Sequence, residues 1–423
     1  MVEKINNGGT EIYFIKTEKF KTDSLCICFC DNLDRDRAYK NALLPQLLRR
    51  GCETVPTARD ISLKLQTLYG ASISWDVEKK GEMQLIEFIL DFVDGKYSVN
   101  IQDILNKMVD LIIEIIENPV KSEGIFKNDY FEQEKNNLNN LIKSRINNKK
   151  NYAYNRCIEE MCINEPFGVP DTGSLEDGAD LDAEELYKYY TDYFLCRLPV
   201  KIFYCGRERP EYLINKIKMN TNFNAADKIK CNLGFLNYIP NEPKYITESM
   251  TVEQAKLCLG YRTNVNPQDK QVYALSIFNG ILGIGVHSKL FQNVREKNSL
   301  AYYAGSTLER YKGLLVASSG IETRNKEKTL EIMLAQITEI QRGNISEYEF
   351  NTTMKAFYSS LKECGDNQFA MIEYYLGKSL TGRIEEPEEY WDMLKQVTPE
   401  DVVKVSKSVY LDTVYFLTGT GEV

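Results

Sequence analysis

Apolar positions along the first half of the chain alternate between two periods, one of about 2 and one of about 3.6 residues, which separate strands from helices. Alternation over residues 11–16 and 25–30 predicts an N-terminal strand pair. A helix then runs into Gly51, and a second, with Ile61, Leu65 and Leu68 on one face, ends at Gly70. Strands are predicted over 71–77 and 83–92. Ile101, Ile104, Leu105, Met108, Ile112 and Ile115 recur at helical spacing until Asn118 and Pro119 stop them, because the residue before proline is driven out of helical geometry. Helices over 130–146, 152–162 and 183–194 and a strand over 200–205 complete the set.

The second half repeats this order. A strand over 254–262 precedes helices over 270–282 and 290–294, then strands over 301–308 and 313–321. Helices follow over 326–342, 346–362, 367–380 and 400–409, and the last strand is 414–418. The two closing segments match in kind: DAEELYKYYTDYF leads to VKIFYCG, and TPEDVVKVSKSVY leads to TVYFLTG. The pattern therefore predicts two similar α/β domains, 1–219 and 246–423. Residues 220–245, with weak apolar periodicity and several Asn, Pro and Lys, read as the linker.

Composition narrows the function. Of 423 residues, 43% are hydrophobic and 27% charged, which are globular values. A net charge of −9, with Lys149 and Lys150 an isolated basic pair, argues against a nucleic-acid partner. The first fifteen residues lack a secretory pattern, and the apolar stretch from Leu111 to Ile116 is too short to span a bilayer. Eleven cysteines without a paired framework suggest reduced thiols, so a cytoplasmic protein with no membrane partner is expected.

Candidate chemistry is sparse. His287 is the only histidine, so a two-histidine zinc motif cannot be built; a satisfied loop residue is the simpler reading. Cys26, Cys28 and Cys30 share one strand face and read as small buried side chains, and Cys157 and Cys162 are spaced wrongly for a metal pair. The GILGIG run at 280–285 follows a helix rather than a strand, which fits a turn and not a dinucleotide loop. Taken alone, Arg295 reads as a charge near a helix end and Tyr302 as a strand aromatic.

The segment SKLFQNVREKNSLAYY, with Ser288, Leu290 and Phe291 followed by Arg295, Leu300, Ala301 and Tyr302, closely resembles the C-terminal-domain signature of the insulinase-like (M16) zinc metallopeptidases. PFGVPDTG, from Pro166 to Gly173, is similar to another segment of that family. Active members carry H-x-x-E-H on a helix, two imidazoles binding zinc and the glutamate activating its water. Setting Gly51 against the family's glycine puts Ala42 and Gln46 at the histidine positions and Pro45 at the glutamate, with the downstream glutamate near Asn140. The resemblance therefore implies an α+β fold, each domain a mostly antiparallel sheet packed with helices, and a non-catalytic homologue, inactive alone, without cofactor or metal of its own. It implies a heterodimer with a homologous chain whose H-x-x-E-H is intact and holds the zinc. Arg295 and Tyr302 would then contact the peptide substrate and its oxyanion in trans. The alternative is a scaffold or peptide-binding protein with no part in hydrolysis.

Overall fold

The computed structural model describes residues 2–99, 103–225 and 227–419. In chain order the first half forms β1 (Val2–Asn7), β2 (Thr10–Lys16), β3 (Thr22–Asn32), α1 (Arg35–Leu48), α2 (Ala58–Thr67), β4 (Ser72–Lys80), β5 (Met83–Val93) and α3 (Ile104–Glu117). A two-strand hairpin, β6 (Lys121–Ser122) and β7 (Ile125–Phe126), leads to α4 (Asn128–Ser144), α5 (Lys149–Met161), α6 (Ala183–Tyr189), α7 (Leu195–Arg197), β8 (Val200–Gly206) and α8 (Glu211–Met219). The second half forms β9 (Lys244–Ser249), β10 (Ala255–Arg262), α9 (Gln271–Gly283), β11 (Ala301–Glu309) and β12 (Leu314–Ile321). It ends with α10 (Lys326–Gln341), α11 (Glu347–Cys364), α12 (Gln368–Leu380), α13 (Pro387–Lys395), α14 (Pro399–Ser406) and β13 (Tyr410–Thr418). Ile101, expected at the start of α3, lies outside the described residues.

The helix boundaries follow local chemistry. Thr398 caps α14 by accepting from the Asp401 amide while the Asp401 carboxylate accepts from the Thr398 amide, so two otherwise orphaned donors are satisfied. Pro399 at the first helical position loses no bond, since its amide would have had no partner there. In α3 the apolar stripe Met108, Leu111, Ile112, Ile115 and Ile116 is fully buried, each side chain contributing about 1.5–3 kcal/mol of transfer free energy.

Two compact units result, each α+β. The first holds a sheet of order β1-β2-β8-β3-β5-β4; the second holds β11-β12-β10-β13-β9. Omitting β1, the two orders correspond strand for strand. Each has one parallel pair, β2 with β8 and β9 with β13, and is otherwise antiparallel. The expected N-terminal strand pair is corrected here: β8 lies between β2 and β3, hydrogen-bonded to both. Local alternation identifies a strand but not its neighbour, and this parallel pairing joins residues 190 positions apart.

The units do not follow the chain halves. The first takes Met1–Lys143, Val169–Asn232 and Cys364–Ser379; the second takes Ser144–Gly168, Leu233–Glu363 and Leu380–Val423. Each sheet therefore receives one helix from the other half of the sequence. On the second sheet α5 packs Ala153, Cys157, Ile158 and Met161 against Cys258, Val316, Tyr415 and Leu417. A side chain at Gly260 would fall 2.9 Å from the Met161 sulfur and 3.2 Å from that of Cys157, so these buried side chains would have to shift to admit one. On the first sheet Gln368 of α12 donates to the carbonyls of Thr22, at 2.8 Å, and Cys205, at 3.0 Å. The opposite sheet faces carry the larger cores, Leu25, Ile27 and Phe29 among them in the first unit and Leu257, Leu259 and Tyr261 in the second.

Candidate functional site

The helix that would carry zinc ligands is α1, in the first unit. Ala42 is buried and offers a methyl group. Pro45 sits inside the helix, where its ring nitrogen cannot donate to the Asn41 carbonyl, and it has no basic side chain. The Gln46 amide folds back onto the Ala42 carbonyl at 3.3 Å. On α4, Asn140 is exposed, whereas Glu134 and Leu138 are the buried positions. A catalytic zinc needs three protein ligands of the imidazole, thiolate or carboxylate kind. Ala42, Pro45, Gln46 and Asn140 do not meet that requirement.

Arginines occupy the neighbouring space. Arg50 Nη1 lies 3.3 Å and Arg49 Nη2 3.7 Å from the fully buried Glu134 carboxylate, which also accepts from Asn137 at 3.0 Å. The Arg49 guanidinium stacks 4.2 Å from the Trp75 ring centre and that of Arg50 4.5 Å from Tyr130. Pro45, Arg49, Arg50, Ile61, Trp75 and Phe88 line a cavity of about 240 Å³. Sequence reasoning missed Glu134, although its spacing from Phe131 and Leu138 on one helical face was a signal.

The expected substrate residues lie in the second unit. Phe291–Glu296 forms a π-helical turn whose Val294 is buried while Arg295 points outward, 45% exposed. The Arg295 guanidinium lies 4.7 Å from the Phe291 ring centre, and its Nε is 3.6 Å from Glu296, too long for a firm ion pair. The chain then reverses through Ser299, at φ +50°, with the Ser299 amide bonded to the Arg295 carbonyl and the Leu300 amide to that of Val294. Tyr302 follows on β11, an edge strand, where the register slips between Ala301 and Tyr303. Such a bulge re-aims a side chain, and Tyr302 is 61% exposed. Two buried anchors, Val294 and Leu300, thus fix a short turn that presents a guanidinium and a phenol to solvent.

The remaining candidates have structural employment. His287 is 5% exposed and bonds Thr353 through Nε2 at 2.9 Å; burial lowers its pKa and favours the neutral ring. In the GILGIG run, a side chain at Gly283 would lie 2.2 Å from the Ser306 amide, so this glycine lets α9 abut the β11 backbone. Cys26, Cys28 and Cys30 are buried on one face of β3, and burial raises the Cys26 and Cys28 thiols well above their ordinary range.

Comparison with known proteins agrees with the geometry. Residues 180–357 match the family described as "Peptidase M16 inactive domain". The chain is 35% identical, over 99% of its length and 97% of the relative's, to a Bacillus subtilis (strain 168) protein named "Probable inactive metalloprotease YmfF". A crystal structure of a conserved protein from Enterococcus faecalis V583 matches with a TM-score of 0.88 and 29% identity, covering 99% and 98% of the two chains. That of a peptidase M16 inactive domain from Pseudomonas fluorescens matches with a TM-score of 0.78 at 17% identity over the same shares, a likeness of fold. No helix among the described residues is long and apolar enough to cross a membrane.

Proposed function

Because the chain belongs to the insulinase-like M16 peptidase family, as a member without H-x-x-E-H, we propose that it is the substrate-holding, non-catalytic subunit of a two-chain peptidase. The partner is a homologous chain with an intact motif, and it supplies the zinc. The observation that carries this reading is the contrast between α1, whose Ala42, Pro45 and Gln46 offer no ligand set, and the anchored turn that exposes Arg295 and Tyr302.

A peptide added as a strand would present its carbonyls at regular spacing to donors near a sheet edge. The Arg295 guanidinium can donate to such a carbonyl, and the Tyr302 hydroxyl to the oxygen that gains charge as water attacks. Donors aimed at the developing oxyanion favour the transition state over the bound peptide, so their loss lowers kcat more than it raises KM. The subunits work in the cytoplasm, on soluble peptides.

Reconstitution with the zinc-bearing homologue of the same organism tests this, using unstructured peptides as substrate. The mixture is expected to cleave where neither chain does so alone. Arg295→Ala should lower kcat/KM by about 10²-fold and Tyr302→Phe by about 10-fold, with assembly unchanged in gel filtration. Full activity with the Arg295→Ala chain would remove the substrate-holding role. A complex whose cleavage is the same with and without this chain would establish a scaffold instead.

A further inference from the structure

Beneath α12 in the first unit, three carboxylates from distant parts of the sequence converge: Glu78 on β4, Glu87 on β5 and Glu373 on α12. One oxygen of each lies within 4.8 Å of the others. Lys80 is the cation among them; its Nζ is 2.8 Å from Glu373 and also ion-paired to Glu78. Glu87 stands apart from this pairing. It is 1% exposed, the Cys26 sulfur lies 3.8 Å from its Oε2, and its Oε1 has no hydrogen-bond partner in the protein. One oxygen of Glu373, also buried, lacks a partner as well. A buried carboxylate oxygen left without a donor is costly, and here two further carboxylates lie close by.

The spacing fits one coordination sphere. Oxygens ligating Ca²⁺ lie about 2.3–2.6 Å from the ion, so two on opposite sides are about 4.6–5.2 Å apart. We propose that Glu78, Glu87 and Glu373 form a site for a hard divalent cation, Ca²⁺ or Mn²⁺, which displaces the Lys80 ammonium and takes up the unpartnered Glu87 and Glu373 oxygens. An all-carboxylate set favours such ions over zinc, which prefers imidazole and thiolate. The bound ion ties α12, from the second half of the sequence, to both β4 and β5.

The test is titration of the chelator-treated full chain with Mn²⁺, following free ion by electron paramagnetic resonance. One ion per chain is expected, with a dissociation constant of about 10⁻⁶–10⁻⁴ M. Ca²⁺ should compete. Glu87→Gln, close in shape to the native side chain, should weaken binding at least 10-fold with the fold kept in circular dichroism, while Lys80→Met should tighten it. No binding at about 1 mM ion, or binding unchanged by Glu87→Gln, would each overturn the proposal.

Discussion

Each sheet of this protein is covered on one face by a helix from the other half of the sequence, but the buried charges at the two contacts are arranged differently. At the second sheet, Arg262 pairs with Asp412 at 2.9 Å and Glu165 at 2.6 Å, and Lys312 pairs with Glu165 at 2.7 Å. Two cations meet two carboxylates, and Arg262 also donates to the Met161 carbonyl at the end of α5. At the first sheet, Lys80 pairs with Glu78 and Glu373, and the nearby Glu87 stands outside that pairing. The balanced group matches its charges, although Arg262 Nη1 is left without a hydrogen-bond partner. The acidic group does not match its charges, and must recruit a proton or a cation; this is how one packing solution becomes a paired joint in one unit and a titratable one in the other.

The largest effect should come from unbalancing the balanced group. Glu165→Ala leaves Arg262 and Lys312, whose side chains are 3% and 1% exposed, with Asp412 as the remaining carboxylate of the group. A buried charge stripped of its partner costs about 3–5 kcal/mol, read as a lower denaturation midpoint of the second unit. A loss below about 1 kcal/mol, the range of exposed pairs, would show that the two contacts do not differ as described.

Glu87 should show the opposite behaviour. Between the ordinary glutamate value of 4.5 and about 9, the folded chain holds a proton at Glu87 that the unfolded chain has released. Stability contributed by this group therefore falls as pH rises through that window, the reverse of a salt-bridged carboxylate. Glu87→Gln should flatten the decline and stabilise the protein by about 2 kcal/mol at pH 8 in metal-free buffer. Equal pH profiles for the variant and the parent chain, followed by chemical denaturation, would remove the imbalance.

Legibility in the sequence divides along the same line. The alternation through Cys26, Cys28 and Cys30 marked β3 and its two faces, because strand periodicity is local. The second strand of each hairpin, β5 and β12, was legible for the same reason, as were α3 and α14 from their stripes and stops. Glu78, Glu87 and Glu373 gave no signal, since nothing local tells that α12 crosses to the first sheet. Nor did Glu134 against Arg49 and Arg50, which depends on how α1 and α4 meet. Pro45 was legible as the loss of a base, and the structure adds that it also interrupts the backbone ladder of the same helix. Arg295 and Tyr302 were singled out by pattern; the π-helical turn and the bulge that expose them required three dimensions.

The smallest effect should be at the surface end of α12. Lys19 is paired with Asp366 just before the helix and donates to the Gly365 carbonyl at 2.8 Å, but the Lys19 and Asp366 side chains are 56% and 68% exposed. Water and salt screen such a pair, and ordering two long side chains offsets most of the attraction. Lys19→Ala should therefore cost under about 0.5 kcal/mol, with the same pH profile as the parent chain. Glu165→Ala and Lys19→Ala each remove one partner of an ion pair, so the ratio of their effects isolates burial as the variable. If Lys19→Ala instead cost as much as Glu165→Ala, the attachment of α12 would rest on its exposed end, and the acidic group beneath it would be free to serve the cation alone.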